Sequence, residues 1–94
     1  MKAIPEESEP YQQTKEFSEN SVPAGLLRRH NTKAGVWGRI CVLEGQLRYR
    51  ILEPVAEEHV LEPGLDGVVE PEIFHEVEPI GHVRFFVEFF RAPS

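Results

Sequence analysis

The stretch Val83-Arg84-Phe85-Phe86-Val87-Glu88-Phe89-Phe90 decides the fold class. Side chains alternate along a strand, so Val83, Phe85, Val87 and Phe89 share one face, and Arg84, Phe86, Glu88 and Phe90 the other. β-Branched and aromatic residues fill both faces, the composition of a strand covered on both sides. One face is expected to meet a barrel interior, the other a second sheet or a partner chain. Glu88 is the intruder. A carboxylate between Phe86 and Phe90 is costly to bury unless it is paired or binds a metal.

Working outward, Gly and Pro punctuate a series of short runs rich in Val, Ile, Leu, Phe and Tyr. Pro79, Ile80 and Gly81 read as a turn before the strong strand. Upstream, residues 67–70 and 73–77 read as short strands broken by Pro71, and residues 59–61 as another closed by Pro63-Gly64. Residues 36–43 and 46–52 read as a hairpin joined by a tight Glu44-Gly45 turn, where Gly can take positive φ. Pro54 ends that hairpin, because proline cannot donate to a ladder. Residues 26–32 read as the first strand. Residues 1–22 are polar and acidic, with only Tyr11, Phe17 and Val22 as anchors, and read as an extended arm before one domain at 23–94. About eight short strands with no helix beyond one N-terminal turn give an all-β sandwich or barrel.

A chain of 94 residues is sized for one domain. It is too short to hold a nucleotide-binding α/β domain beside anything else, and it has no phosphate-cradling glycine loop, so no nucleotide cofactor is expected. The formal net charge of -6 argues against nucleic acid, whose phosphates need clustered Lys and Arg. Cys41 is the single cysteine, which fits a reducing compartment. The opening MKAIPEESEP has no apolar core, and no stretch approaches the ~20 apolar residues of a membrane helix. The expectation is a soluble cytoplasmic protein with no membrane partner. A core this small makes a homodimer a natural source of extra stability.

His30, His75 and Glu88 are the candidate metal ligands. His30 shares a face with Leu26 and Arg28, and His75 with Ile73 and Val77, so each could point into an apolar cavity. Two imidazoles and a carboxylate from three strands make a facial set suited to Zn, Fe, Ni or Mn. The plainer reading is that the histidines line a barrel and Glu88 pairs with Arg84 or Arg39. His59 and His82 sit beside turns and read as exposed. Cys41 reads as a buried core thiol, and Trp37 and Tyr49 as core or pocket-wall aromatics. Glu44 belongs to the turn, and Glu70 reads as surface. Arg28, Arg39, Arg48 and Arg50 read as solvated strand faces, with an anion-binding rim as the functional alternative.

The runs Pro23-Ala24-Gly25-Leu26, His30-Asn31-Thr32-Lys33, Gly35-Val36-Trp37-Gly38, Val42-Leu43-Glu44-Gly45 and Glu70-Pro71-Glu72-Ile73-Phe74-His75-Glu76-Val77-Glu78 together resemble a family. It is the cupin-like domain found at the N-terminus of some tellurite-resistance TehB proteins and in stand-alone YeaR-like proteins. The likeness spans residues 15–92. It implies a cupin-type double-stranded β-helix, a jelly roll commonly dimeric. The methyltransferase activity of the TehB fusions belongs to a separate domain and is not implied here. His30 and His75 match the histidines of the two motif regions. The general cupin pattern has a His-x-His pair before the first glycine and a glycine between the proline and histidine of the second motif. This chain has only His30 before Gly45 and no glycine between Pro71 and His75. A reduced site of His30, His75 and Glu88, binding a divalent metal or a small molecule or oxyanion, is therefore the expectation.

Overall fold

A computed structural model describes residues 1–92. The described residues form one antiparallel sheet of six strands: β1 (Glu9–Gln13), β2 (Phe17–Ser18), β3 (Trp37–Ile51), β4 (Glu57–Leu61), β5 (Gly67–Val69) and β6 (His75–Arg91). They contain no α-helix, only a 3-10 turn at Ala24–Leu27. The all-β expectation holds.

The element pattern differs from the sequence reading in one decisive way. Glu44-Gly45 does not reverse the chain, and neither does the segment from Pro79 to Gly81. β3 runs for 15 residues straight through the first, and β6 for 17 through the second. The two long strands pair along their whole length, from Trp37 opposite Phe90 to Ile51 opposite His75. The register shifts between Val42 and Glu44 and between Gly45 and Gln46, opposite Gly81-His82-Val83-Arg84. The glycines therefore mark a bulge that bends a hairpin. Gly45 has φ +75, and a Cβ there would lie 1.9 Å from the His82 carbonyl oxygen. Only glycine fits so close a backbone approach.

The bulge also resets the alternation. Before it, the even positions Gly38, Ile40 and Val42 are buried; after it, the odd positions Leu47, Tyr49 and Ile51 are. On β6, His75, Val77, Val83, Phe85 and Val87 are buried. Bending brings the inner faces of the two halves together, so that Tyr49 and Val77 share one core with Ile40 and Phe85. Burying each such side chain contributes about 1.5–3 kcal/mol.

Short strands line both edges of this hairpin. β5 and β4 pair with the first and second halves of β3, while β1 and β2 pair with the second half of β6. The segment before Pro23 thus supplies two strands, and Phe17, opposite Phe85, enters the core at 6% exposure. Residues 26–32 do not form the first strand. The 3-10 turn occupies their start, and only His30 bridges to the sheet. The sheet keeps open edges, which corrects the expectation of a closed barrel.

Candidate functional site

His30 and His75 come together as a cross-strand pair. The His30 amide donates to the His75 carbonyl at 2.9 Å, and the His75 amide donates back to the His30 carbonyl at 2.8 Å. Their rings meet nearly edge to face, with centroids 5.3 Å apart. The pairing continues next door, where the Glu72 amide donates to the Thr32 carbonyl at 3.1 Å. Glu72 holds φ 64 in the turn leading to His75.

The two imidazoles are not equivalent. His75 is 4% exposed, and its Nδ1 lies 3.2 Å from the Ile73 carbonyl. A carbonyl only accepts, so Nδ1 carries the proton and Nε2 is left with its lone pair. Burial holds the His75 pKa below the usual histidine value; the Ile73 bond opposes this and nearby His30 adds to it. The ring is therefore neutral at pH 7. Nδ1 of His30 is buried with no hydrogen-bond partner. Tyr49 packs against His75 at 5.9 Å between centroids, and its hydroxyl donates to the Val68 carbonyl at 2.9 Å.

The pair sits in the wall of a partly open cavity of about 260 Å³ between the bent sheet and residues 23–32. Phe17, Leu26, Ile40, Val69, Phe85 and Val87 supply much of its hydrocarbon lining. A few polar groups, here the histidine pair with Thr14 and Thr32, in a mostly apolar cavity are the usual form of a small-molecule site.

Glu88 does not join the histidines. Val87 and Phe89, its neighbours on β6, line the cavity, so alternation turns Glu88 to the opposite face. There it lies 3.8 Å from Arg39, whose guanidinium stacks over the Phe90 ring at 4.9 Å. Among the described residues no group of three or more His, Cys, Asp and Glu is placed to hold a metal ion.

The other candidates fall outside the cavity. Arg48 and Arg50 form ion pairs with Glu58 and Glu78 across the outer face, and Arg50 also pairs with Glu76. Arg28 is exposed. Glu44 and Glu16 hold Arg84 at the bend, and His82 bridges Glu19 and Glu44. His59 accompanies Glu57 at 3.1 Å. Glu70 pairs with Lys2 at 3.6 Å. Cys41 is half-buried on the outer face rather than in the core, and burial pushes its thiol up to about 11. Trp37 is half-buried on the same face.

Sequence reasoning missed the contribution of the first 22 residues to the cavity wall. Thr14 and Phe17 line it. Phe17 was visible as an anchor, but nothing local said what it anchored to.

The fold and site define a class: a small antiparallel β domain that encloses an apolar cavity with a histidine pair in its wall. The profile of the TehB-like domain matches residues 12–87, and the chain belongs to that family. It is 35% identical over 74 residues to a protein of Haemophilus influenzae described as a probable S-adenosyl-L-methionine-dependent methyltransferase TehB. That match covers 74% of this chain and 26% of the relative, so the chain spans about a quarter of its length. It is 31% identical over 90 residues to the uncharacterized protein YeaR of Escherichia coli K12, covering 83% of this chain and 73% of YeaR. The crystal structure of a protein from E. coli K12 superposes over the full length of both chains, with a TM-score of 0.88 and 29% identity. The crystal structure of TehB from H. influenzae superposes on 93% of this chain and 32% of TehB, with a TM-score of 0.85 and 29% identity.

Proposed function

We propose that this chain is a binding module of the cupin type. Its ligand sits in the inner cavity, anchored by His30 and His75 directly or through a divalent metal. The observation that carries this reading is the buried, unpartnered Nδ1 of His30 beside a cavity walled by hydrocarbon. A buried polar atom without a partner costs about 1–3 kcal/mol, which a bound group supplying the missing bond offsets. Nε2 of His75, left free by the Ile73 bond, is the second point of attachment.

These two imidazoles provide fewer protein ligands than the usual three or four of a zinc site. The Tyr49 hydroxyl is committed to Val68, the Thr32 hydroxyl to Val36, and Glu88 lies on the other face. Zn, Fe, Ni or Mn held here would complete its coordination with water or with the ligand itself. A cupin-type assembly is supported by the bent hairpin folding over a cavity and by the two histidine-bearing motifs, here with open sheet edges. A small anionic ligand is the class to test first. Binding, rather than methyl transfer, is the activity assigned to this region.

The second reading is a metal-free dimeric module. The outer face of β3 and β6 favours it, where Trp37, Cys41 and Phe86 are half-buried and Leu43 is exposed. Metal analysis of untagged protein, combined with NMR of the imidazole groups, separates the two. The first reading expects about one metal ion per chain, lost in a His30→Ala, His75→Ala variant that still folds, or imidazole signals that shift with a small ligand. If neither metal nor any small molecule perturbs the histidines, and light scattering gives a dimer, the second reading replaces it.

A further inference from the structure

The inner cavity does not stand alone. A second, more open cavity of about 280 Å³ adjoins it and shares His30, Thr32 and Phe89 in its lining. Its other lining residues include Gln12, Asn31 and Lys33. No carboxylate lines it, and Lys33 makes no salt bridge among the described residues. One arginine approaches it: Arg91 stacks 4.5 Å over the ring of Tyr11, a lining residue, without itself lining the cavity. Arg39, Arg48, Arg50 and Arg84 all pair with glutamates on other parts of the surface. Lys33 is the cation that lines this vestibule directly, in a chain whose net charge is -6.

We infer that the ligand is a small amphipathic organic anion, with its apolar body in the inner cavity and its carboxylate in the vestibule at Lys33. The inference rests on the reading of the inner cavity as a ligand site and adds the class of ligand. Three observations carry it. The inner compartment is mostly hydrocarbon, the outer one presents side-chain amides and one ammonium group, and His30 borders both while His75 lines only the inner one. An ammonium group with no acidic neighbour is complementary to an anion. The Thr32 hydroxyl donates to the Val36 carbonyl at 2.8 Å and ties down the loop that carries Lys33. The inner cavity limits the apolar body: scaled from the ~150 Å³ cavity that holds benzene, 260 Å³ takes roughly ten non-hydrogen atoms.

The test titrates the full chain with octanoate, 1-octanol and acetate, reading affinity by calorimetry and location by the methyl signals of Val77 and Val87. Octanoate is expected to bind up to about fivefold tighter than octanol, the worth of one semi-exposed charge contact. Acetate, lacking the apolar body, is expected to bind weakest. Added salt is expected to weaken octanoate and leave octanol unchanged. Lys33→Gln, an exposed loop substitution, is expected to bring octanoate down to the octanol level while octanol binding holds. Equal affinities for octanoate and octanol, or a Lys33→Gln variant that binds octanoate as before, overturn the anion inference while the cavity remains a ligand site. Failure of both eight-carbon probes to shift the Val77 and Val87 methyls also overturns the inference, while the cavity reading then stands or falls on the metal and imidazole measurements.

Discussion

His30 and His75 exchange both of their backbone hydrogen bonds, at 2.9 and 2.8 Å, and so stand directly opposite each other with their rings in edge-to-face contact. The backbone, not the side chains, fixes this pair. A substitution of either imidazole therefore removes chemistry from the cavity wall while leaving the bridge that positions it. That property makes the histidines suitable for direct test.

Stability is expected to fall as pH drops below about 6.5, the unfolded histidine value. The folded His75 pKa lies lower because the ring is buried. The unfolded chain therefore binds the proton first, and the contribution of neutral His75 is fully present above the unfolded value. It is lost progressively as pH falls toward the folded one. The carboxylates with lowered pKa values, Glu16, Glu19, Glu44 and Glu57, act in the same direction only further down, from about 4.5. Urea unfolding between pH 7.5 and 5 checks this. His75→Gln is expected to flatten the slope in that window, and an unchanged slope contradicts the assignment.

Gly45→Ala is expected to destabilise the chain far more than Gly81→Ala. Both glycines have positive φ, +75 and +66, which costs an alanine about 1–2 kcal/mol. At Gly81 a Cβ meets nothing within 4 Å, whereas at Gly45 it would sit 1.9 Å from the His82 carbonyl oxygen. The backbone of β6 must then move and the bend must open. Thermal melts of the two variants measure the difference; equal melting temperatures would show that the bend does not depend on that close approach.

Glu88→Gln is expected to leave any metal or ligand affinity within about twofold of the parent, and stability within about 1 kcal/mol, because its partner is a half-exposed arginine. His30→Ala and His75→Ala are expected to weaken binding. A loss of binding in Glu88→Gln comparable with theirs would place the carboxylate in the site after all.

Tyr49→Phe removes a donor from the Val68 carbonyl while keeping the ring against His75. With Tyr49 at 1% exposure and the bond part-buried, the loss is expected to be about 0.5–1.5 kcal/mol, the net worth of one such hydrogen bond. Denaturant titration measures it, with the slope unchanged if the fold persists.

The sequence by itself determined the strand class and the two-faced character of residues 83–90, and it singled out His30 and His75, which the fold brings together. Each of these is local: alternation is a property of the extended chain, and composition decides whether a face can be covered. The tertiary structure alone decided three other things. Gly45 and Gly81 carry the same local signal whether a chain reverses or bends, and only the partner strand running past both shows which. The bulge then moves burial from even to odd positions of β3, so faces counted through a supposed turn end on the wrong side. Phe17 meets Phe85, and Glu88 meets Arg39 across the ladder while facing away from the histidines. Pairing over such separations is set by which arrangement buries the most apolar surface across the whole chain, and no window of sequence contains that comparison.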